Sequence, residues 1–293
     1  VCLSLYSTRL ILAALGENDY GIYSLVAGVV MMLSFITNAM VTTTQRFLSY
    51  NHGKQDKEKL HTVFGNSLLL HVFVGLVILL ILACAQPLVV HKLNIETSRM
   101  GAANIVYIAA AVMLFLSITT APYRALYIAR ENIVYISVID VLDGILKVLI
   151  AIGLTYLISL DKLILYATMM TGISLFNLLA FSCYAHAKFE ECHIPRIKEF
   201  DRGFIQDISK FIGWNLYGTG CIISRTQGIS IIVNHFAGTA INAAYGVAQQ
   251  VQGSLGFIAY SLLNAIAPQI TKAESRGERD QMLNLAGAAS KYA

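Results

Sequence analysis

The sequence predicts an all-α integral membrane protein, a polytopic helix bundle with about eight spans. Apolar residues make up 56% of the 293 residues and charged residues only 13%, about half the charged share of a soluble domain. Uncharged runs recur along the chain, and each is long enough to cross a hydrocarbon core of about 30 Å. The segments between these runs are short and polar. A water-soluble fold of this size could not bury so much apolar surface, so lipid must cover part of it.

Five spans follow directly from runs that contain no Asp, Glu, Lys or Arg. In chain order, they are Tyr20–Gln45, Thr62–Val90, Met100–Tyr123, Leu163–Ala187 and Phe236–Thr271.

Two further spans are interrupted by charge. Ile133–Ser159 carries three charged residues and Phe211–His235 carries Arg225. Val1–Leu15 has the composition of the second part of another span, and Met282–Ala293 is expected to open a ninth. We therefore expect the chain to be incomplete at both ends.

Orientation follows from the distribution of Lys and Arg, which are enriched in cytoplasmic loops. Alternate loops form two sets. One set holds twelve basic residues: Lys54, Lys57, Lys59, Arg130, Lys188, Arg196, Lys198, Arg202, Lys210, Lys272, Arg276 and Arg279. The other holds three: Lys92, Arg99 and Lys162. The bias predicts that the first set and the amino end face the cytoplasm. A net charge of +4 without a basic aromatic face does not indicate nucleic-acid binding.

An internal repeat appears in the order of a few residues. Tyr20-Gly21, Gln45, Gly53 and Asp56 recur as Tyr245-Gly246, Gln269, Gly277 and Asp280. Six spans separate the copies, so both have the same orientation. The repeat predicts two lobes related by an axis along the membrane normal.

These regions resemble the oligosaccharide-lipid flippases, the polysaccharide-transporter branch of a superfamily that also contains multidrug and toxin extrusion (MATE) antiporters. The resemblance is carried by Leu15-Gly16, Asp19–Tyr23, Thr44–Ser49 with Gly53-Lys54, Gly213–Gly218, Gln227–Ile229, Asn234–Gly238, Asn242–Ala244 and Pro268–Lys272.

The resemblance implies a transporter of 12–14 helices in two six-helix lobes around a central cavity. Residues 1–203 would form the first lobe, with its first span truncated, and residues 204–293 the start of the second. It also implies alternating access and an undecaprenyl-diphosphate-linked oligosaccharide as cargo, for lipopolysaccharide or polysaccharide synthesis. The location would be the bacterial cytoplasmic (inner) membrane, with H⁺ or Na⁺ as candidate coupling ion.

Four arginines within or near spans are candidate ligands for an anionic head group: Arg9, Arg46, Arg124 and Arg225. A charge at a helix centre costs about 2.5–3.5 kcal/mol on insertion scales, so it persists only when paired or facing water. Arg46 and Arg124 lie near cytoplasmic ends, where the alternative is snorkelling to lipid phosphates. Arg225 lies deepest, and the alternative there is an ion pair with Asp140 or Asp143.

Asp140, Asp143 and Lys147 fall at i, i+3 and i+7 of the fifth span. Asp143 and Lys147 are four residues apart in the favourable acid-first order. The functional interpretation is a cavity-facing proton or cation relay. The structural interpretation is a polar seam that joins helices. Both stay open on sequence grounds.

Pro122 and Pro268 lie within or near the ends of spans and predict helix kinks.

The remaining motifs exclude several classes of protein. The five cysteines show no metal-ligand spacing, so neither metal nor cofactor is indicated. No nucleotide-binding or hydrolase motif is present, and we predict that the protein is not an enzyme.

Two transport functions differ in the sign of the charges that they require within spans. A lipid-linked oligosaccharide flippase needs cations for a diphosphate. A cation-coupled multidrug antiporter of the MATE type needs unpaired acids in the first, seventh or eighth span. The first and seventh spans carry arginine, and none of the three carries an acid. The sequence therefore favours the flippase.

Overall fold

The computed structural model describes residues 2–31, 33–92, 95–156, 161–192 and 202–292, and no strand occurs among them. Its helices are α1 (Cys2–Met31), α2 (Ser34–Gly53), α3 (Lys57–Lys92), α4 (Met100–Ala129), α5 (Ile133–Tyr156), α6 (Lys162–Lys188), α7 (Arg202–Arg276) and α8 (Arg279–Tyr292). A one-turn 3-10 helix, Thr97–Arg99, precedes α4. The predicted fold class, an all-α membrane bundle, is confirmed.

Three helical segments within the described residues are long and apolar enough to cross a membrane: Lys57–Val90, Thr97–Ala129 and Lys162–Lys188. They coincide with three of the predicted uncharged spans. Helix α5 has 24 residues, which is also sufficient length, but it carries three charged residues. Its crossing therefore depends on how those charges are paired.

Helix α4 lies at the centre of the bundle, packed against α1, α2, α3 and α6. Its buried face is rich in alanine, including Ala103, Ala110 and Ala121. Small side chains let neighbouring backbones approach closely where lipid provides no hydrophobic driving force. Two buried tyrosines of α4 fix its neighbours: Tyr107 donates to the Leu82 carbonyl at 3.0 Å and Tyr127 to the Phe181 carbonyl at 2.9 Å.

The break predicted between Val1–Leu15 and Tyr20–Gln45 is present but shorter than the four residues 16–19. The backbone leaves the helical conformation at Gly16 (φ 81°, ψ 169°), and residues 17–31 are helical again. A single glycine can adopt this left-handed conformation without steric cost, so one residue redirects the chain where four were expected. The second predicted span is divided between α1 and α2 by a turn at Leu33.

Helix α7 runs through the boundary predicted between the seventh and eighth spans. Near its start, Phe211 lies under Arg46 of α2, with 4.6 Å from guanidinium to ring. At its end, Arg276 donates to the Gly53 carbonyl of α2 at 3.2 Å. A straight helix would separate those two α7 residues by about 98 Å at 1.5 Å per residue, whereas α2 is only about 30 Å long. The helical path of α7 therefore doubles back, as two antiparallel spans require.

Candidate functional site

Charged residues of the loop set that contains Lys92, Arg99 and Lys162 meet at one end of the bundle, which we call the Arg99 end. Arg99 follows α3, and its guanidinium donates to Asp19 of α1 and, at 2.7 Å, to Asp161 before α6. Asp19 is 8% exposed, and burial raises the pKa of its carboxyl although the guanidinium opposes the shift. A cleft of about 840 Å³ opens beside the cluster, lined in part by Gly16 and Glu96. Three separate segments are therefore held together by one arginine.

The charged residues of the other loop set meet at the opposite end, which we call the Arg130 end. Arg130 follows α4 and donates to Glu191 beyond α6 at 2.7 Å. A second N–H donates to Nε2 of His52, at the end of α2, also at 2.7 Å. Lys57 at the start of α3 pairs with Glu190 at 2.8 Å. Arg130 thus ties together the ends of α2, α4 and α6.

The last turns of α7 close the Arg130 end. Lys272, which is 9% exposed, pairs with Glu131 at 2.6 Å, and Gln269 donates to the same carboxylate at 3.4 Å. Hydrogen bonding to Lys272 lowers the pKa of Glu131. Gly53 faces this contact, where a Cβ would come within 2.8 Å of the Lys272 carbonyl oxygen. The residues that we assign to the second lobe therefore contact loops of the first at this end.

These two clusters agree with the division of loops made from Lys and Arg. Segments 16–19, 95–99 and 161 lie at the Arg99 end, whereas 51–57, 130–132, 190–192 and 269–278 lie at the Arg130 end. No ion pair among the described residues crosses from one loop set to the other. The structure thus places alternate loops at opposite ends of the bundle. Which end faces the cytoplasm stays a prediction.

The four candidate arginines have different surroundings. Arg124 of α4 donates to both carboxylate oxygens of Asp140 on α5, at 3.0 and 3.1 Å, and also lies 5.4 Å from the Phe181 ring. Arg46 lies over the ring of Phe211. Arg9 and Arg225 are exposed. Within the part of the chain that the structure describes, no carboxylate pairs with either of them.

The two aspartates of α5 have partners on different helices, and the choice between a polar seam and an ion relay stays open. Lys147 and Asp143 pair at 2.6 Å, as their i, i+4 spacing predicts. Asn177 of α6 also donates to Asp143, at 2.8 Å. Asp140 is not part of that pair, because Arg124 holds it. Among the described residues, neither aspartate pairs with Arg225, which was the alternative considered for that arginine.

The two predicted kink positions are inside helices. Pro122 is buried within α4 and Pro268 is buried within α7. Both helices continue through their proline, and the predicted kinks stay predictions. Pro87 lies inside α3 in the same way.

The sequence reasoning missed three features. Both end clusters were invisible because their members are separated by up to 141 residues, although each loop set did carry residues of opposite charge. It also missed His71, a buried histidine of α3 within a run that contains no Asp, Glu, Lys or Arg. A search that included histidine among the costly intramembrane residues would have found it.

Comparison with known proteins places this fold. No family model matches the chain. The chain is 21% identical over 289 residues to an uncharacterized membrane protein of Bacillus subtilis, EpsK, and spans 99% of itself and 57% of that relative. The chain therefore resembles a membrane protein and spans little more than half of that protein's length.

The solved structures that resemble the chain are transporters of the MATE and MOP type. A crystal structure of a MATE mutant superposes with a TM-score of 0.80 at 15% identity, covering 100% of this chain and 66% of that one. A MOP superfamily transporter from Pyrococcus furiosus gives 0.67 at 15% identity, covering 99% and 66%. A multidrug resistance MATE transporter in an outward-facing conformation gives 0.65 at 14% identity, covering 100% and 65%. The chain is thus a multi-pass membrane protein with the fold of MATE transporters.

Proposed function

We propose that this protein moves an anionic, lipid-linked oligosaccharide across the bacterial cytoplasmic membrane by alternating access. The observation that carries the proposal is the sign of the uncompensated charge within the helices. Asp140 forms an ion pair with Arg124, and Asp143 forms one with Lys147. Among the described residues, Arg225 and Arg9 then keep a positive charge without a carboxylate partner. A site with surplus arginine suits a diphosphate, whereas a site for a cationic drug needs surplus acid.

The surroundings of Arg225 support a role in binding. Its side chain is exposed, and so are Trp214 and Tyr217 on the preceding turns of α7. A Cβ built at Gly218 or Gly220 would meet nothing within 4 Å among the described residues. The helix face beside Arg225 therefore leaves space for a ligand. A guanidinium also presents a planar set of donors that matches phosphate oxygens.

One solved structure with this fold is described in terms of the polarity of its binding pocket. The Pyrococcus furiosus transporter is described as a MOP superfamily member in which the reverse polarity of the binding pocket suggests a different function. In this chain the arginines that have no carboxylate partner among the described residues favour an anionic cargo over that of the MATE-type multidrug antiporter, which is the alternative. H⁺ or Na⁺ is the coupling ion that we propose, as the resemblance implies.

The contacts at the Arg130 end support alternating access. Lys272 and Arg276 hold the end of α7 against the turns that follow α2 and α4. A transporter that exposes its cavity to one side at a time must close the other side with contacts that can break. Polar contacts suit this role because the side chains of Lys272, Glu131 and Arg276 can exchange their protein partners for water, so each hydrogen bond contributes only a modest net free energy.

The test uses complementation of a strain that lacks its lipid-linked oligosaccharide flippase. Arg225→Ala should abolish complementation at normal expression, and Arg225→Lys should impair it, because lysine keeps the charge but loses the bidentate fork. Arg202→Ala is the matched control, since Arg202 is an exposed arginine at the start of the same helix. Full complementation by Arg225→Ala would refute the head-group role. Export of cationic drugs by the wild type, without oligosaccharide transfer in reconstituted vesicles, would establish the antiporter instead.

A further inference from the structure

His71 is a buried histidine in the middle of α3. Its side chain is 0% exposed, and it lies 14 residues, or about 21 Å, beyond the first residue of the helix. Its Nδ1 lies 2.6 Å from the carbonyl oxygen of Ser67, one turn earlier. A carbonyl only accepts, so Nδ1 carries the hydrogen and Nε2 presents a lone pair. Nε2 has no hydrogen-bond partner among the described atoms, and neither has the buried Ser67 hydroxyl.

A polar path leads to His71 from the Arg130 end. On α3 the side chain of Thr62 donates to the Glu58 carbonyl at 3.1 Å, and that of Asn66 to the Thr62 carbonyl at 2.8 Å. Ser67 and His71 continue this series by one more turn. From Val72 to Ala83 the helix contains no polar side chain. His71 is therefore the innermost member of a polar series that begins at one end of the bundle.

A proton is the ligand that suits this geometry. A buried acceptor without a hydrogen-bond partner is destabilising, and protonation would convert Nε2 from an acceptor into a donor. A metal ion would need further ligands, and no group of three His, Cys, Asp or Glu side chains occurs among the described residues. Imidazole also titrates within the physiological range when it is hydrated.

The helices packed against α3 carry several charged or titratable side chains. Helices α2, α4 and α7 pack against α3. Their charged or titratable side chains in the described part of the chain include Arg46 and His52 on α2, Arg124 on α4, and Lys210, Arg225 and Lys272 on α7. Among the described residues, no hydrogen bond joins the His71 ring to any of them; the ring is buried and contacts the Ser67 carbonyl.

We infer that His71 is a proton-binding residue that couples pH to the conformational cycle of the protein. The inference rests on the alternating access proposed above. In the conformation described here the ring is fully buried and Nε2 has no hydrogen-bond partner among the described atoms. When the contacts at the Arg130 end open, water can follow the polar series of α3, and His71 takes up a proton at Nε2. The charged ring cannot return to the dry packing until it releases that proton, so binding and conformation are linked.

The test measures a conformational change of the protein and does not require the cargo. Trp214 is the single tryptophan of the chain, and it is exposed on α7. Its fluorescence in lipid nanodiscs should show one transition between pH 5 and 8. His71→Gln should remove that transition, because glutamine can still donate to the Ser67 carbonyl but does not titrate. His186→Gln should retain it. His186 is the matched control because its Nδ1 makes the same contact, at 2.8 Å, with the carbonyl of Ser182 four residues earlier, but on an exposed surface.

A measurement on the wild type avoids any doubt about folding of the variant. Hydrogen–deuterium exchange at the histidine C2 position, read by mass spectrometry, reports the titration of each histidine separately. The exchange rate at His71 should change with pH in step with Trp214 fluorescence. An unchanged transition in His71→Gln, or no transition in the wild type, would overturn the inference while leaving the proposed function intact. A normal transition without oligosaccharide transfer would refute the proposed function and leave the inference standing.

Discussion

Gly53 shows how a single residue permits closure of the bundle. At this position the backbone of α2 approaches the last turns of α7, and a Cβ would lie 2.8 Å from the carbonyl oxygen and 2.9 Å from the Cα of Lys272. Backbone atoms cannot rotate away as a side chain can. Any larger residue must therefore push α2 and α7 apart at the Arg130 end.

Gly53→Ala should destabilise the protein by about 1–3 kcal/mol, the usual cost of overpacking a tight contact. Thermal unfolding in detergent provides the measurement. Gly101→Ala is the control, because Gly101 also lies in a helix but a Cβ added there would meet nothing within 4 Å; it should be neutral or stabilising by up to about 1 kcal/mol. Equal melting temperatures for the two variants would show that the contact is not tight.

His52 makes the Arg130 end sensitive to acid. Burial, together with the charges of Lys272 and Arg130, lowers the pKa of His52 to about 4. An unfolded histidine titrates near pH 6.5. Between these values the unfolded chain binds a proton that the folded chain does not bind, so stability falls as pH falls through this window.

His52→Gln should therefore reduce the loss of thermal stability between pH 7.5 and 5. The quantity to compare is the change in melting temperature across that interval for wild type and variant. His186→Gln should keep the wild-type slope, since no such burial applies to that exposed ring. If both variants keep the wild-type slope, His52 does not contribute to acid sensitivity.

At the scale of helices, the acids of α5 determine how this helix is held. Asp140 joins it to α4 through Arg124, and Asp143 joins it to α6 through Asn177. The two acids differ in burial: the Asp140 side chain is 51% exposed and that of Asp143 is 20% exposed. An exposed pair contributes little, whereas removal of one partner from a more buried pair leaves a costly charge.

Asp143→Asn should consequently lower the folded yield and the melting temperature more than Asp140→Asn. Asp143→Asn removes a mostly buried carboxylate that accepts from both Lys147 and Asn177, whereas the Asp140 carboxylate is half exposed and accepts from Arg124. The measurement is size-exclusion yield and thermal unfolding of both proteins. The opposite order would mean that the Arg124–Asp140 bond is the main link. Unaltered yield in Asp143→Asn with a lost pH or sodium dependence of transport would favour an ion relay.

At the scale of the whole molecule, ion pairs within each loop set hold the two ends of the bundle separately. Lys57 lies at the Arg130 end, where it pairs with Glu190. Lys162 follows Asp161, a member of the Arg99 cluster. The excess of Lys and Arg in the first set predicts that the Arg130 end faces the cytoplasm. Arg196, which belongs to the same set, lies outside the described residues.

We expect cysteine at position 162 to react with an impermeant thiol reagent on intact cells, and cysteine at position 57 to react only after permeabilisation. The variants Lys162→Cys and Lys57→Cys are made in a protein whose five native cysteines are replaced. The same protein without an added cysteine is the control. Labelling of Lys57→Cys on intact cells would reverse the predicted orientation.

Some of these features could be predicted from the sequence, and others could not. The spans around α3, α4 and α6 were placed correctly because a long uncharged run indicates a membrane helix by itself. The Asp143–Lys147 pair was also correct, since partners four residues apart on a helix face each other. The break at residues 16–19 was predicted in the right place but too long, because polar residues can continue a helix when one glycine provides the bend.

The sequence by itself determined that this chain is a helical membrane protein whose loops alternate between two sets of different charge. Both properties depend on local composition, and a window of about 20 residues contains the information. Only the tertiary structure decided that Arg124 meets Asp140, that Arg99 joins three loops, and that Lys272 reaches Glu131. The rotation of each helix and the packing of distant ones determine those contacts. These pairings offset the cost of removing charges from water, and they join residues separated by up to 141 positions, which no local pattern records.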